Sequence, residues 1–121
     1  MAAAQQKLNL DGSVTTTSNT ITNIKTYTLS SNTVNSLRGE LLGRKVSNGE
    51  AYVASFTSVM KRTSSGTSLL TTIDLFPPVR DTGMLTASYT IDLDGNDLRI
   101  RVQGPQDVEV DWFVVATLRV D

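Results

Sequence analysis

The chain has neither cysteine nor histidine in its 121 residues. Without cysteine there is no disulfide frame and no thiolate metal site, and the redox compartment cannot be read. Together the two absences exclude the usual Ser-His and Cys-His catalytic pairs. A charge excess is lacking too: 11 Lys and Arg stand against 12 Asp and Glu, a net charge of −1. Such balance leaves no electrostatic footprint for nucleic acid or an anionic membrane, so neither is expected as a partner. No apolar run approaches the ~20 residues of a spanning helix, and the N-terminus lacks a signal peptide's apolar stretch. The phosphate-binding loop, the dinucleotide fingerprint and the G-x-S-x-G elbow are also missing.

What the chain does have is hydroxyl groups, 12 Ser and 17 Thr against only 3 Glu. Thr suits a pleated surface, whereas Glu and Lys, the usual residues of exposed helices, are scarce. Composition therefore predicts β structure, and the length predicts one domain with a real core.

Periodicity agrees. Val108, Val110, Trp112, Val114, Ala116, Leu118 and Val120 take one parity, and Glu109, Asp111, Thr117 and Arg119 the other. That alternation predicts a strand over 108–120 with one buried face. Phe113 and Val115 break it by putting apolar side chains on the outer parity, which predicts a second layer or a subunit interface over them. Strands near 34–47 and 50–62 flank Asn48-Gly49, a pair suited to a two-residue hairpin turn. That turn pairs Leu41 with Phe56, Leu37 with Met60 and Gly43 with Ala54. The opposite face carries Arg38, Glu40 and Arg44 but also Val53 and Val59, so partial cover by another subunit is expected there. Val53, Val59, Phe113 and Val115 are the candidate interface residues.

Further strands are predicted over 14–17, 20–29, 67–76, 84–93 and 97–103, the one over 84–93 with Leu85, Ala87, Tyr89, Ile91 and Leu93 on one face. The run FPPVRDTG (76–83) is predicted as a loop, since adjacent prolines remove two ladder donors. Asp11-Gly12 and residues 94–96 mark turns, and GPQD (104–107) a reversal. If that reversal is a hairpin with Ile100 facing Val110, Leu98 faces Trp112. The same register sets Arg101 opposite Glu109 and Arg99 opposite Asp111, each pair contributing ~0.2–1 kcal/mol. The expectation is an all-β fold: an antiparallel β-sandwich or jelly roll of about eight strands without significant helix. Residues 1–13 are expected to be an N-terminal arm or flexible leader, and 14–121 a single β-sandwich domain.

Candidate chemistry is thin. Asp74, Glu109 and Asp111 could supply a glycosidase's paired carboxylates, but arginines across from Glu109 and Asp111 favour a structural role. Asp92, Asp94 and Asp97 in DLDGND look oxygen-rich enough for calcium, yet lack an EF-hand's distal Glu and suit a tight turn. Trp112 and Tyr52 could stack on sugar, although both fall on the inward parity. Arg44, Lys45, Lys61 and Arg62 lie near opposite ends of one hairpin and make no basic patch. No catalytic residue, cofactor or metal is expected, and the chain is not expected to be an enzyme.

The run from TTTSNTITNIKTYTLSSNTV through LRGELLGRKVSNGEAYVASFTSVMKR to LRIRVQGPQDVEVDWFVVATLRV resembles small β-sandwich or jelly-roll modules of tailed-bacteriophage virions. The likeness spans about residues 15–121 and rests on Gly43-Arg44, Ala51-Tyr52, Lys61-Arg62, Gly104 and Trp112. Such modules serve as capsid decoration or cement proteins and as tail-fibre or tail-spike domains, often trimeric. The resemblance thus implies a virion protein made in the host cytoplasm. A free-standing unit without stalk or collagen-like repeat is expected to be capsid cement, bound as a homotrimer at capsomer junctions to the major capsid protein or other virion proteins. The alternative is a tail-fibre or tail-spike component that binds a host glycan, for which aromatics such as Phe76 and Tyr27 would matter. A small glycosidase or calcium-dependent lectin is the remaining class.

Overall fold

The computed structural model describes residues 6–121. Ten strands form two antiparallel sheets: β1 Gln6–Asn9, β2 Gly12–Thr16, β3 Thr22–Thr28, β4 Thr33–Lys45, β5 Ala51–Thr63, β6 Gly66–Asp74, β7 Val79–Arg80, β8 Ser88–Asp94, β9 Asp97–Gln103 and β10 Val110–Val120. A short 3-10 turn, Thr82–Met84, is the sole helical element among the described residues. The large sheet runs β1-β10-β4-β5-β6, with β2 also on β10 and β7 also on β5; the small sheet runs β3-β9-β8. Since β1 and β2 share one edge of β10, and β6 and β7 one edge of β5, the large sheet is five strands wide. The all-β sandwich is the predicted class.

The core comes from the inward parity of the long strands. Val110, Trp112, Val114, Ala116 and Leu118 of β10 meet Leu37 and Leu41 of β4, Tyr52, Phe56 and Met60 of β5, and Leu98, Ile100 and Val102 of β9. Trp112 and Tyr52 pack edge to face with centroids 5.4 Å apart. The Trp112 Nε1–H donates to Thr16 Oγ1 at 2.9 Å, so the buried indole keeps its hydrogen bond. Two glycines of β4 make this packing possible. A Cβ on Gly39 would stand 2.7 Å from the Phe56 ring, and one on Gly43 2.7 Å from the Trp112 ring.

Four expectations change. The first concerns residues 6–13, expected as arm or leader. They pair with β10 in one register, from Gln6 opposite Val120 to Gly12 opposite Val114, and β2 crosses the expected boundary after residue 13. Asp11-Gly12 is no turn: Asp11 Oδ1 accepts the Ala116 N–H at 3.1 Å, and the missing Cβ of Gly12 admits the Ile24 carbonyl of β3, which it would approach to 2.5 Å. Residues 1–5 of the expected arm lie outside the described residues.

The second is the register of the central hairpin, displaced by two: Leu41 opposes Ala54, Gly43 opposes Tyr52 and Leu37 opposes Ser58. The loop holds four residues, 46–49, closed by Lys45 N–H to Glu50 O and Gly49 N–H to Lys45 O, both 2.8 Å. Gly49 alone has positive φ there, 78°, whereas the predicted turn needs two such residues. A shift of two keeps every side chain on its face, so the predicted burial survives.

Third, β9 and β10 do not pair. β9 lies between β3 and β8, and the 104–109 connection crosses between sheets instead of closing a hairpin. The predicted charge pairs were degenerate. Arg99 finds Asp92 opposite it on β8, and Asp111 finds Arg44 opposite it on β4. A match of opposite charges cannot choose between partners when several strands carry them.

Finally, the predicted strand over 84–93 begins only at Ser88, because the 3-10 turn takes up its start and leaves Leu85 exposed. The predicted loop at 76–83 contains β7: after Pro77 and Pro78 the chain resumes pairing, with Val79 opposite Val53.

Candidate functional site

The outer face of the large sheet carries the feature that folding leaves unexplained. Register places Phe113 of β10 opposite Leu42 of β4, Leu42 opposite Val53 of β5, and Val53 opposite Val79 of β7. These four apolar side chains form a row across four strands, with neighbouring Cβ atoms about 4.5–5.5 Å apart as such partners are. Phe113, Leu42 and Val79 are 45%, 41% and 56% exposed, and Val53 is half-buried. Val115, two residues along β10 from Phe113 and on the same face, is 49% exposed. Val53, Phe113 and Val115 thus belong to one apolar patch. Val59 does not, because Ser55 and Thr57 separate it from Val53 along β5, and its row consists of Arg119, Ser36 and Thr71.

Leu42 and Val79 complete the row and were absent from the sequence reading. Leu42 had a signal: the Leu41-Leu42 doublet interrupts alternation as Phe113 and Val115 do. Val79 had none, since its strand stands behind two prolines. At one end of the row, Ser13, Thr15, Leu42, Arg44, Asp111 and Phe113 line a hollow of about 490 Å³. Asp111 accepts from Arg44 Nη2 at 2.9 Å and from Thr15 Oγ1 at 2.8 Å.

The other candidate residues stand apart from this patch. Asp92 is gripped by Arg99 through two bonds of 2.8 Å, with Arg101 at 3.7 Å. Asp94 lies 3.7 Å from Arg99, and Asp97 accepts from Thr28. Guanidinium groups therefore occupy both oxygens of Asp92, and the Arg99 hydrogen bonds, with its charge, hold the Asp92 carboxyl below the usual range. Among the described residues no cluster of three or more potential metal ligands forms. Asp74 sits on β6 and accepts from the Tyr89 hydroxyl; burial, and then that bond, pushes the Tyr89 phenol up. Between Asp74 and Asp111 stand β4 and β5, roughly 14 Å at the strand spacing, too far for a glycosidase pair. Glu109 faces no arginine, since Arg101 lies in the other sheet. Tyr52 and Trp112 are buried and offer no sugar platform, Tyr27 is half-buried, and Phe76 is 41% exposed.

Fold and surface together define an antiparallel β-sandwich with a polar small sheet and an uncovered apolar row on the outside of its large one. No family model matches the chain, and no curated protein matches it. Among solved structures, the tailspike protein of Acinetobacter baumannii phage AM24 is similar at 13% identity and a TM-score of 0.43. The match covers 94% of this chain and 26% of that one, so this chain spans about a quarter of that protein's length. A likeness this loose carries no argument about function.

Proposed function

We propose that this protein is a structural component of a bacteriophage virion, a capsid decoration or cement protein that binds at capsomer junctions as a trimer. The observation that carries the reading is the apolar row Phe113-Leu42-Val53-Val79. Soluble monomers rarely leave contiguous apolar surface uncovered, and patches rimmed by polar residues mark interaction sites. Here the rim carries both signs, Arg44 and Asp111 on one side and Glu40 then Arg38 on the other. A surface with an apolar centre and both charges around it suits contact with further copies of the same chain. The role is mechanical: trimers add buried area across joints of the shell, and linked contacts act at high effective concentration. Such work requires no titratable centre, in keeping with a chain that lacks His and Cys.

The hollow beside Phe113 supports a second reading, a tail component that binds a host glycan. There an exposed aromatic stands next to a hydrogen-bonded carboxylate and guanidinium. One pair of measurements separates the two. Purified protein is titrated against capsids stripped of decoration while their heat stability is followed, and is also applied to a glycan array. Saturable capsid binding with a raised melting temperature is the expected result. No capsid binding together with glycan hits abolished by Phe113→Ala would replace the first reading with the second.

A further inference from the structure

Most cationic side chains of this protein have a partner. Asp111 holds Arg44, Glu50 holds Lys45, and Asp92 holds Arg99 and Arg101. Arg62 donates to the Leu29 carbonyl and Arg80 to the Ala87 carbonyl. Lys7, Lys25, Arg38, Lys61 and Arg119 make neither an ion pair nor a side-chain hydrogen bond among the described residues, and three of them, Lys7, Arg38 and Arg119, stand together around one hollow on the outer face of the large sheet. Lys7 and Arg119 are direct cross-strand partners. Arg38 opposes Thr117, which places it diagonal to Arg119. Like charges set directly opposite destabilise a sheet, so folding supplies no reason for this arrangement.

Between them lies a hollow of about 210 Å³, lined by Lys7, Ser36, Arg38, Thr117 and Arg119. Each of those side chains can donate hydrogen bonds, and no carboxylate lines the hollow. Glu40 and Asp121 share the face but make no ion pair with the three cations. Residues 1–5, MAAAQ, contain no carboxylate that could neutralise them.

The geometry points to an oxyanion site for a doubly charged tetrahedral group: phosphate, as the free ion or as a monoester. Three cations around one hollow match a dianion, whereas a single carboxylate would leave two of them uncompensated. Two guanidinium groups and two hydroxyls add directional donors of the kind that recognise phosphoryl oxygens. The hollow is smaller than the ~300–1,000 Å³ of pockets that enclose drug-sized ligands, so it fits one anionic group and not an extended chain. Open to solvent, the site is sensitive to salt. It shares only Arg38 with the rim of the apolar row and stands without the assembly reading.

The test titrates the protein with inorganic phosphate and separately with glycerol 3-phosphate, sodium chloride holding ionic strength constant. Saturable binding and a melting temperature that climbs with ligand concentration are expected. Glycerol 3-phosphate should bind more tightly at about pH 8 than at about pH 5, because a phosphomonoester takes its second charge near pH ~6. Equal affinities for the two probes assign the site to the free ion, and tighter binding of glycerol 3-phosphate assigns it to an ester. Arg38→Gln combined with Arg119→Gln should weaken binding at least tenfold. The same variant, unliganded, should melt no lower than the parent, since it loses mutual repulsion. Lys25→Gln in β3 should change neither quantity. A melting shift that chloride reproduces at equal ionic strength, or a double variant that binds phosphate unchanged, would overturn the site.

Discussion

The two outer faces of the sandwich are finished differently. On the small sheet, β8, β9 and β3 present Asp92, Arg99, Arg101, Asn23, Thr28 and Asp97, and these pair with one another. Arg99 grips Asp92, Arg101 donates to Asn23 at 2.9 Å, and Thr28 donates to Asp97. That face satisfies itself and meets water. The large sheet instead sets four apolar side chains in a row and leaves three cations beside it without partners. Burial inside cannot account for the difference, since both sheets contribute to the same core. A face that leaves a row of apolar side chains largely exposed and three of its cations unpaired is the kind that interaction sites present.

The comparison breaks most sharply at Leu42 and Phe113. A central apolar anchor contributes about 2 kcal/mol or more to an interface, and a carboxylate there also has to be desolvated. Leu42→Asp with Phe113→Asp should therefore raise the dissociation constant for self-association by about 1,000-fold or more. Both side chains point outward, so circular dichroism should keep its β signature, but the two are cross-strand partners and their carboxylates repel, so the monomer's melting temperature should fall modestly. Sedimentation velocity reads the result, with Thr90→Asp on the small sheet as the matched control. Unchanged assembly in the double variant would show that the apolar row is not the contact.

Parity was the legible part of this fold. Alternation along β10, β4 and β5 assigned every buried face correctly, because period two is a property of the strand and survives a register shift of two. Partnership was the illegible part. The chain reveals that Arg99 and Asp111 want opposite charges, but Asp92 and Arg44 satisfy them equally well, and only the assembled sheets choose. The N-terminal residues were misread for a related reason. Leu8, Leu10 and Val14 are spaced for a strand, but the polar residues between them suggest a leader, and the edge of β10 that receives them is about 100 residues away in the sequence. Phe113, Val53 and Val115 could be found because each puts an apolar side chain on the outward parity of its strand. Val79 had no alternation around it to break.

A smaller effect sharpens the polar side of the comparison. The folded Asp92 carboxyl lies below its ordinary value of 3.8, chiefly through its hydrogen bonds to Arg99. A lowered pKa contributes stability that is present above the unfolded value and lost as pH falls through the folded one. Asp92→Asn should therefore cost about 0.5–1 kcal/mol at neutral pH, the range for a well-formed but partly exposed pair. Its deficit should shrink on acidification below 3.8, where the parent protonates and loses the same pair. Urea unfolding across the acid range measures this, and assembly should be unaffected throughout. A deficit independent of pH would assign the cost to packing and remove the ion pair from the account.

The smallest expected effect distinguishes pattern from place. Val59 has the same outward parity as Val53 and is half-buried as Val53 is, so sequence alone gives the two equal claim to an interface. Their rows differ. Val53 lies between Leu42 and Val79, whereas Val59 lies between Ser36 and Thr71, with Arg119 one strand further on. Its apolar same-face neighbours, Val34 and Ile73, are only diagonal to it, so Val59 joins no apolar row across the strands. Val59→Thr should leave the self-association constant within about twofold of the parent, as exposed substitutions away from special features stay within about 0.5 kcal/mol. Val53→Thr, the same change in the other row, should weaken association about fivefold or more, because it breaks the line between Leu42 and Val79. Equal losses from the two variants would mean that the contact surface reaches past Ser55 and Thr57 and takes in the cationic half of the face.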